Sequence, residues 1–120
     1  MIIFLRVLFF AILLAMLAVT TMASLDQGVL EAAAELWPEP WFKATLADAY
    51  FGFVTVFVWI AYKEITLGKR ALWFVLLMAL GNIAISVYVL IELFRLEPGD
   101  DVTQLLLRRH PSPAQLGSIP

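Results

Sequence analysis

Three long apolar runs constrain this chain more than any other feature of it. They are Ile2 to about Met22, Trp41 to Tyr62, and Ala71 to Phe94. About 20 predominantly apolar residues in a helix span the hydrocarbon core of a bilayer, and each run meets that length. The first is interrupted only by Arg6, close enough to the N-terminus for its guanidinium to snorkel to the headgroups while its stem stays in lipid. The third is the longest, with Gly81, Asn82 and Ser86 at its centre and Glu92 near its end. Composition agrees: 62% of the 120 residues are hydrophobic and 15% charged, with a mean hydropathy of +0.91. Soluble domains average about 45–50% apolar and about 25% charged, and a small one cannot hide such an excess. The expected fold is an all-α integral membrane protein with three transmembrane helices, spanning about 2–22, 41–62 and 71–94. Residues 1–109 form a single membrane domain, followed by a disordered polar tail over 110–120 that holds three prolines and one glycine.

The first run also has features of a signal peptide: an early basic residue and Thr21-Met22-Ala23 as a small-residue cleavage site. Its apolar stretch is longer than the usual signal core of about 7–15 residues, which favours an uncleaved span.

Between the first two spans, Ser24-Leu25-Asp26-Gln27 reads as a capping box. Leu25, Val29, Leu30, Ala33 and Leu36 then recur at helical spacing, with Asp26, Glu31 and Glu35 off that face. The pattern predicts a short amphipathic helix, acidic rather than basic, lying in the interface or over the bundle. Pro38 and Pro40 break the chain, and Trp37, Trp41 and Phe42 sit where an aromatic belt belongs. Lys63 to Arg70 makes the second and third spans an antiparallel hairpin. Beyond Pro98-Gly99, Asp100 or Asp101 caps a short surface helix through Arg109. Lys63, Lys69 and Arg70 in the second connection place it and the N-terminus on the cytoplasmic side, leaving the first loop and the C-terminus outside; Arg95, Arg108 and Arg109 argue the other way.

Little catalytic chemistry is on offer. The absence of cysteine removes disulfides, thiolate metal sites, iron–sulfur clusters and cysteine nucleophiles. The single histidine, His110, stands in the polar tail without a partner ligand, so no pigment, haem or metal site is expected. No serine nucleophile pattern and no glycine-rich phosphate loop is present, and a net charge of −2 gives no reason to expect nucleic acid. The expectation is a non-enzyme without cofactors, whose partners are membrane lipids and either other membrane proteins or further copies of itself.

Two segments carry a resemblance. Pro40-Trp41-Phe42-Lys43-Ala44-Thr45-Leu46-Ala47-Asp48-Ala49-Tyr50, then Trp59-Ile60-Ala61-Tyr62-Lys63-Glu64, resemble the core of an uncharacterised domain-of-unknown-function family of small membrane proteins of plants and bacteria. Gly81, Tyr88 and Leu93-Phe94 before a proline-containing break fit the same pattern, and the resemblance runs from Met1 to about Arg109. It implies a multi-helix membrane protein and no activity. Asn82 departs from it, standing where the plant members have a small residue such as serine, so no role for Asn82 is carried over.

The polar residues at membrane depth are the candidates for function. Asp48 is an ionisable group inside a span, and such groups are costly unless paired or hydrated. Thr45-x-x-Asp48 can equally be a capping box that puts Asp48 near headgroups, whereas a helix starting at Pro40 buries it deeper. Glu92 is three residues before Arg95, the spacing of an ion pair on one helix face. With three spans, Asp48 and Glu92 fall on the same side of the membrane at similar depth, where two carboxylates could bind a cation or pass a proton. The reading preferred on energetic grounds is that they are independent groups facing headgroup water, since ion pairs near a surface are common and cheap. Asn82 is the deepest polar side chain and heads a stripe with Ser86, Val89 and Leu93. Asp48, Gly52, Thr55, Trp59 and Tyr62 form a second stripe, and Ala11, Ala15 and Ala18 a third. Such stripes, with Gly81, let helices approach closely and bond across a seam. Arg6, Trp37, Trp41, Tyr62 and Lys63 read as interfacial anchors. Two functions follow: an accessory or structural subunit packed against other membrane proteins, or an oligomeric small transporter using Asp48, Asn82 and Glu92.

Overall fold

The computed structural model describes residues 1–108, and these are helical, with no strand among them. The elements are α1 (Ile2–Asp26), α2 (Val29–Leu36), α3 (Pro40–Lys63), α4 (Leu67–Leu80), α5 (Asn82–Phe94) and α6 (Val102–Leu106). Two of them, α1 and α3, are long and apolar enough to cross a membrane. At 25 and 24 residues they extend about 37 and 36 Å, against a hydrocarbon thickness of about 30 Å.

Their boundaries correct two capping expectations. Helix α1 runs through Ser24 and ends at Asp26, with Gln27 extended and its N–H returned to the Ala23 carbonyl, so Ser24 is interior and Gly28 is the N-cap of α2. Helix α3 starts at Pro40, whose missing N–H costs nothing in a first turn. Thr45 does not cap; its hydroxyl donates to the Trp41 carbonyl one turn back (2.8 Å). Asp48 therefore sits about 12 Å along α3 from Pro40, the deeper of the two placements.

The third span is not a continuous helix. It breaks at Gly81, whose φ of 58° and ψ of −122° no side-chain-bearing residue adopts readily, and the chain turns back on itself. Helices α3 and α4 run antiparallel: Phe57 meets the Phe74 ring at 5.1 Å, and the Tyr50 hydroxyl donates to the Met78 carbonyl (3.0 Å). Helix α5 then returns along α4, so that Trp73 meets Tyr88 (4.8 Å) and the start of α4 at Thr66 shares a groove with Arg95 at the end of α5. A Cβ at residue 81 would lie 2.6 Å from the Phe53 ring, which fixes the tip of this hairpin beside the middle of α3. Each arm, 14 and 13 residues, extends about 20 Å, too short to cross a bilayer. At the turn the Gly81 N–H reaches the Leu77 carbonyl, and the Gly81 carbonyl accepts from the Ile85 N–H.

Two apolar clusters hold these helices together. Ile60, Leu77, Ala84 and Tyr88 are buried where α3, α4 and α5 meet. Val89, Leu90, Leu93 and Leu105 form the second, against which α1 lays Ile2, Leu5, Phe9 and Leu13. That spacing is the apolar helix face, and it displaces the alanine stripe: Ala11, Ala15 and Ala18 are exposed rather than in a seam. Arg6 does not snorkel freely. It donates to the Leu93 carbonyl (3.0 Å) and lies over the Phe94 ring, satisfying the carbonyl end of α5.

Helix α6 begins with a capping box between Asp101 and Gln104 and ends at Leu106, short of the Arg109 expected; Arg109, His110 and the proposed tail lie outside the described residues. It is docked rather than free on the surface. Leu105 is buried, the Trp59 indole donates to the Leu106 carbonyl (2.9 Å), and Arg108 donates to the Tyr62 carbonyl (2.6 Å). Because the α4–α5 hairpin returns to where it began, the start of α1, the end of α3 and α6 share one end of the molecule. This corrects the placement of the C-terminal segment opposite the N-terminus. Arg6, Lys63, Lys69, Arg70, Arg95 and Arg108 gather at that end, together with Glu64, Glu92, Glu97, Asp100 and Asp101. Asp26, Glu31, Glu35, Glu39 and Asp48 lie toward the other, with Lys43 as its one cation among the described residues.

Candidate functional site

The most developed polar arrangement lies where the hairpin closes. Lys63, the last residue of α3, is buried, and its ammonium lies 3.0 Å from the Glu92 carboxylate of α5; each side chain is 3% exposed. Glu92 also faces the half-exposed Arg95 one turn on, at 3.4 Å. Lys63 further donates to the Leu105 carbonyl of α6 and lies 5.5 Å from the Trp59 ring. One lysine thus joins α3, α5 and α6. It is a buried partner and not the snorkelling anchor the sequence suggested, because the reversal at Gly81 carries Glu92 back to its level.

Above this pair opens a groove of about 230 Å³, lined by Lys63, Glu64, Thr66, Lys69, Glu92 and Arg95 among others. Glu64 accepts from the hydroxyl of the buried Tyr88 (3.1 Å), and its backbone carbonyl accepts from the Arg70 guanidinium (2.8 Å). Tyr88 is held edge-on by Trp59 and Trp73, so its hydroxyl is fixed beneath the groove. Opposite charges in so dry a place are retained only when paired and hydrogen-bonded, as these are.

The other candidates do not join this site. Asp48 and Glu92 were expected at similar depth, but Glu92 pairs with Lys63, fifteen positions and about 22 Å along α3 from Asp48. The pair of carboxylates that could share a cation is therefore absent. Asn82 is exposed at the hairpin tip, at the level of Tyr50–Phe53, while Ser86, Val89 and Leu93 are buried; the four do not form one seam. Asp48 and Thr55 are exposed, Thr55 donates to its own Phe51 carbonyl, and a Cβ on Gly52 would meet nothing within 4 Å. The first half of that stripe is open, whereas Trp59 in its second half packs on Tyr88 and α6. Tyr62 is partly covered by Arg108, while Trp37 and Trp41 stand open near the acidic end, with Lys43 over the Trp37 ring at 5.1 Å. No group of metal-ligating side chains occurs among the described residues.

Sequence reasoning missed Lys63–Glu92, Tyr88–Glu64 and the docking of α6. A signal for the first existed: two opposite charges, each at the inner end of an apolar run, each expensive unless it finds the other. No characterised protein and no solved structure matches the chain. A family does. The family described as "Protein of unknown function (DUF1475)" matches residues 1–112. That match takes in α1 to α6, and with them the Gly81 hairpin and the Lys63–Glu92 closure: the chain belongs to the DUF1475 family.

Proposed function

We propose that this chain is an integral membrane protein, anchored by α1 and α3, that works as an accessory subunit assembled against another membrane protein through the outer face of α3. The observation that supports this is Asp48. It makes no hydrogen bond or ion pair among the described residues and stands about 12 Å into α3, beside the open surfaces of Gly52 and Thr55. Lipid offers a carboxylate nothing at that depth, whereas a partner helix can approach closely over glycine and hydrogen-bond to it. The basic end, with both the start of α1 and α6, is the cytoplasmic end by the positive-inside rule, and the exposed Trp37 and Trp41 sit in the opposite interface.

This topology makes a clear prediction, because the native chain has no cysteine to confuse labelling. In the I65C, G99C and G28C variants, a membrane-impermeant maleimide should reach residues 65 and 99 from the same face and residue 28 from the other. Labelling of residues 99 and 28 from one face would restore three full spans.

The accessory reading is tested by purifying the chain from its native membranes in mild detergent. A stoichiometric heteromeric particle is expected, and D48L should lose the partner while keeping its own thermal transition. A homo-oligomer alone would sink it and favour the second reading, a self-associated ion-handling protein. That reading draws on Asp48 and Asn82, both exposed at the level of the hairpin tip. Its signature is a cation or proton flux lost in D48N.

A further inference from the structure

We infer that the groove closed by the α4–α5 hairpin is a binding site for a phosphate group, presented by an anionic phospholipid at the cytoplasmic interface. The acids in its wall are already engaged: Glu92 by Lys63 and Arg95, Glu64 by the Tyr88 hydroxyl. The cations are not all used. Lys69 is exposed and makes no ion pair among the described residues, and Arg95, though it faces Glu92, is half exposed. With Lys63, Lys69 and Arg95 against Glu64 and Glu92 in its wall, the groove carries a surplus of one positive charge around an open volume of about 230 Å³. Thr66 adds a hydroxyl on the same wall. It begins α4 without a side-chain cap, and no side chain stands over Gly68, so amides of that first turn remain available to the same anion.

Position distinguishes a lipid from a soluble anion. The groove lies at the ends of α3, α4 and α5, where the headgroups of a bilayer containing α1 and α3 would be. Exposed Ile65 and Leu67 flank it and would meet acyl chains. Basic pockets between helices at this face suit anionic headgroups, and each Lys or Arg adds attraction. The inference rests on the proposed membrane topology, not on the identity of any protein partner.

The test is native mass spectrometry of the full chain in detergent, titrated with phosphatidylglycerol, phosphatidylcholine or inorganic phosphate. Phosphatidylglycerol should bind about tenfold more tightly than phosphatidylcholine, and K69A/R95A should abolish that preference. K69R should keep it, as should K43A at the opposite end. Equal binding of the two lipids, or a preference that survives K69A/R95A, overturns the site. Inorganic phosphate that competes at the lipid's own concentration would identify a free anion as ligand and overturn the lipid assignment. Membrane insertion is read separately: release of the protein by alkaline carbonate would remove the topology beneath the proposal.

Discussion

Replacing Lys63 with alanine is expected to destabilise the fold by about 3–5 kcal/mol, because it leaves Glu92 charged and buried with its main partner gone. Arg95 can compensate only in part, being half exposed and 3.4 Å away. The loss extends beyond the pair, since Lys63 also holds the Leu105 carbonyl, so α6 should become protease-sensitive. Removing both charges is a different experiment. K63M/E92L exchanges the ion pair for apolar side chains and should recover most of the stability, as buried pairs often give no net gain over well-packed hydrophobic residues. Unfolding midpoints in detergent or urea give both numbers. A K63A protein as stable as the native chain would show that the pair is hydrated and the closure loose.

Replacing Gly81 with alanine is the second large effect, expected at about 3 kcal/mol from backbone strain with a smaller steric share. The φ of 58° with ψ of −122° lies outside what an alanine holds comfortably, and its Cβ would stand 2.6 Å from the end of the Phe53 ring. The two causes separate cleanly. Phe53 can be shortened, so G81A/F53L should regain the steric part and leave the strain. G52A provides the contrast, for that glycine is helical with open space around it, and alanine there should cost nothing or stabilise slightly. Equal thermal transitions for G81A and G52A would mean that the hairpin turns without needing its glycine.

Helical content and the α1 and α3 segments were readable because apolar length is a local property of sequence. The hairpin was not, for a reason that Gly81 illustrates. A glycine in the middle of an apolar run is tolerated in membrane helices and usually marks close packing, so nothing local distinguishes a kink from a reversal. What distinguishes them is whether Tyr88 finds Trp73 and whether Glu92 finds Lys63, and those contacts link positions 15 and 29 apart. The arginines at 95 and 108 did carry the information. They conflicted with three crossings and agree with the two of the proposed topology. Asp48 was legible as an oddity, but whether Thr45 or Pro40 opened its helix depended on which backbone groups each could satisfy. The stripes at 11, 15 and 18 and at 48, 52 and 55 had the correct spacing for seams, yet spacing names a face without naming what covers it.

An element that enters and leaves by the same face also simplifies how such a chain is made. Under the proposed topology, only α1 and α3 need threading through a translocon, and no charged segment after Lys63 has to be carried across. The α4–α5 hairpin would then wait on the ribosome's side until both anchors stand and slide in as one unit. Its docking surface on α1 was synthesised some eighty residues earlier, and the Arg6–Leu93 contact spans 87 positions. That contact can form only after residue 93 has emerged, so in the proposed topology the hairpin docks long after α1 has been placed.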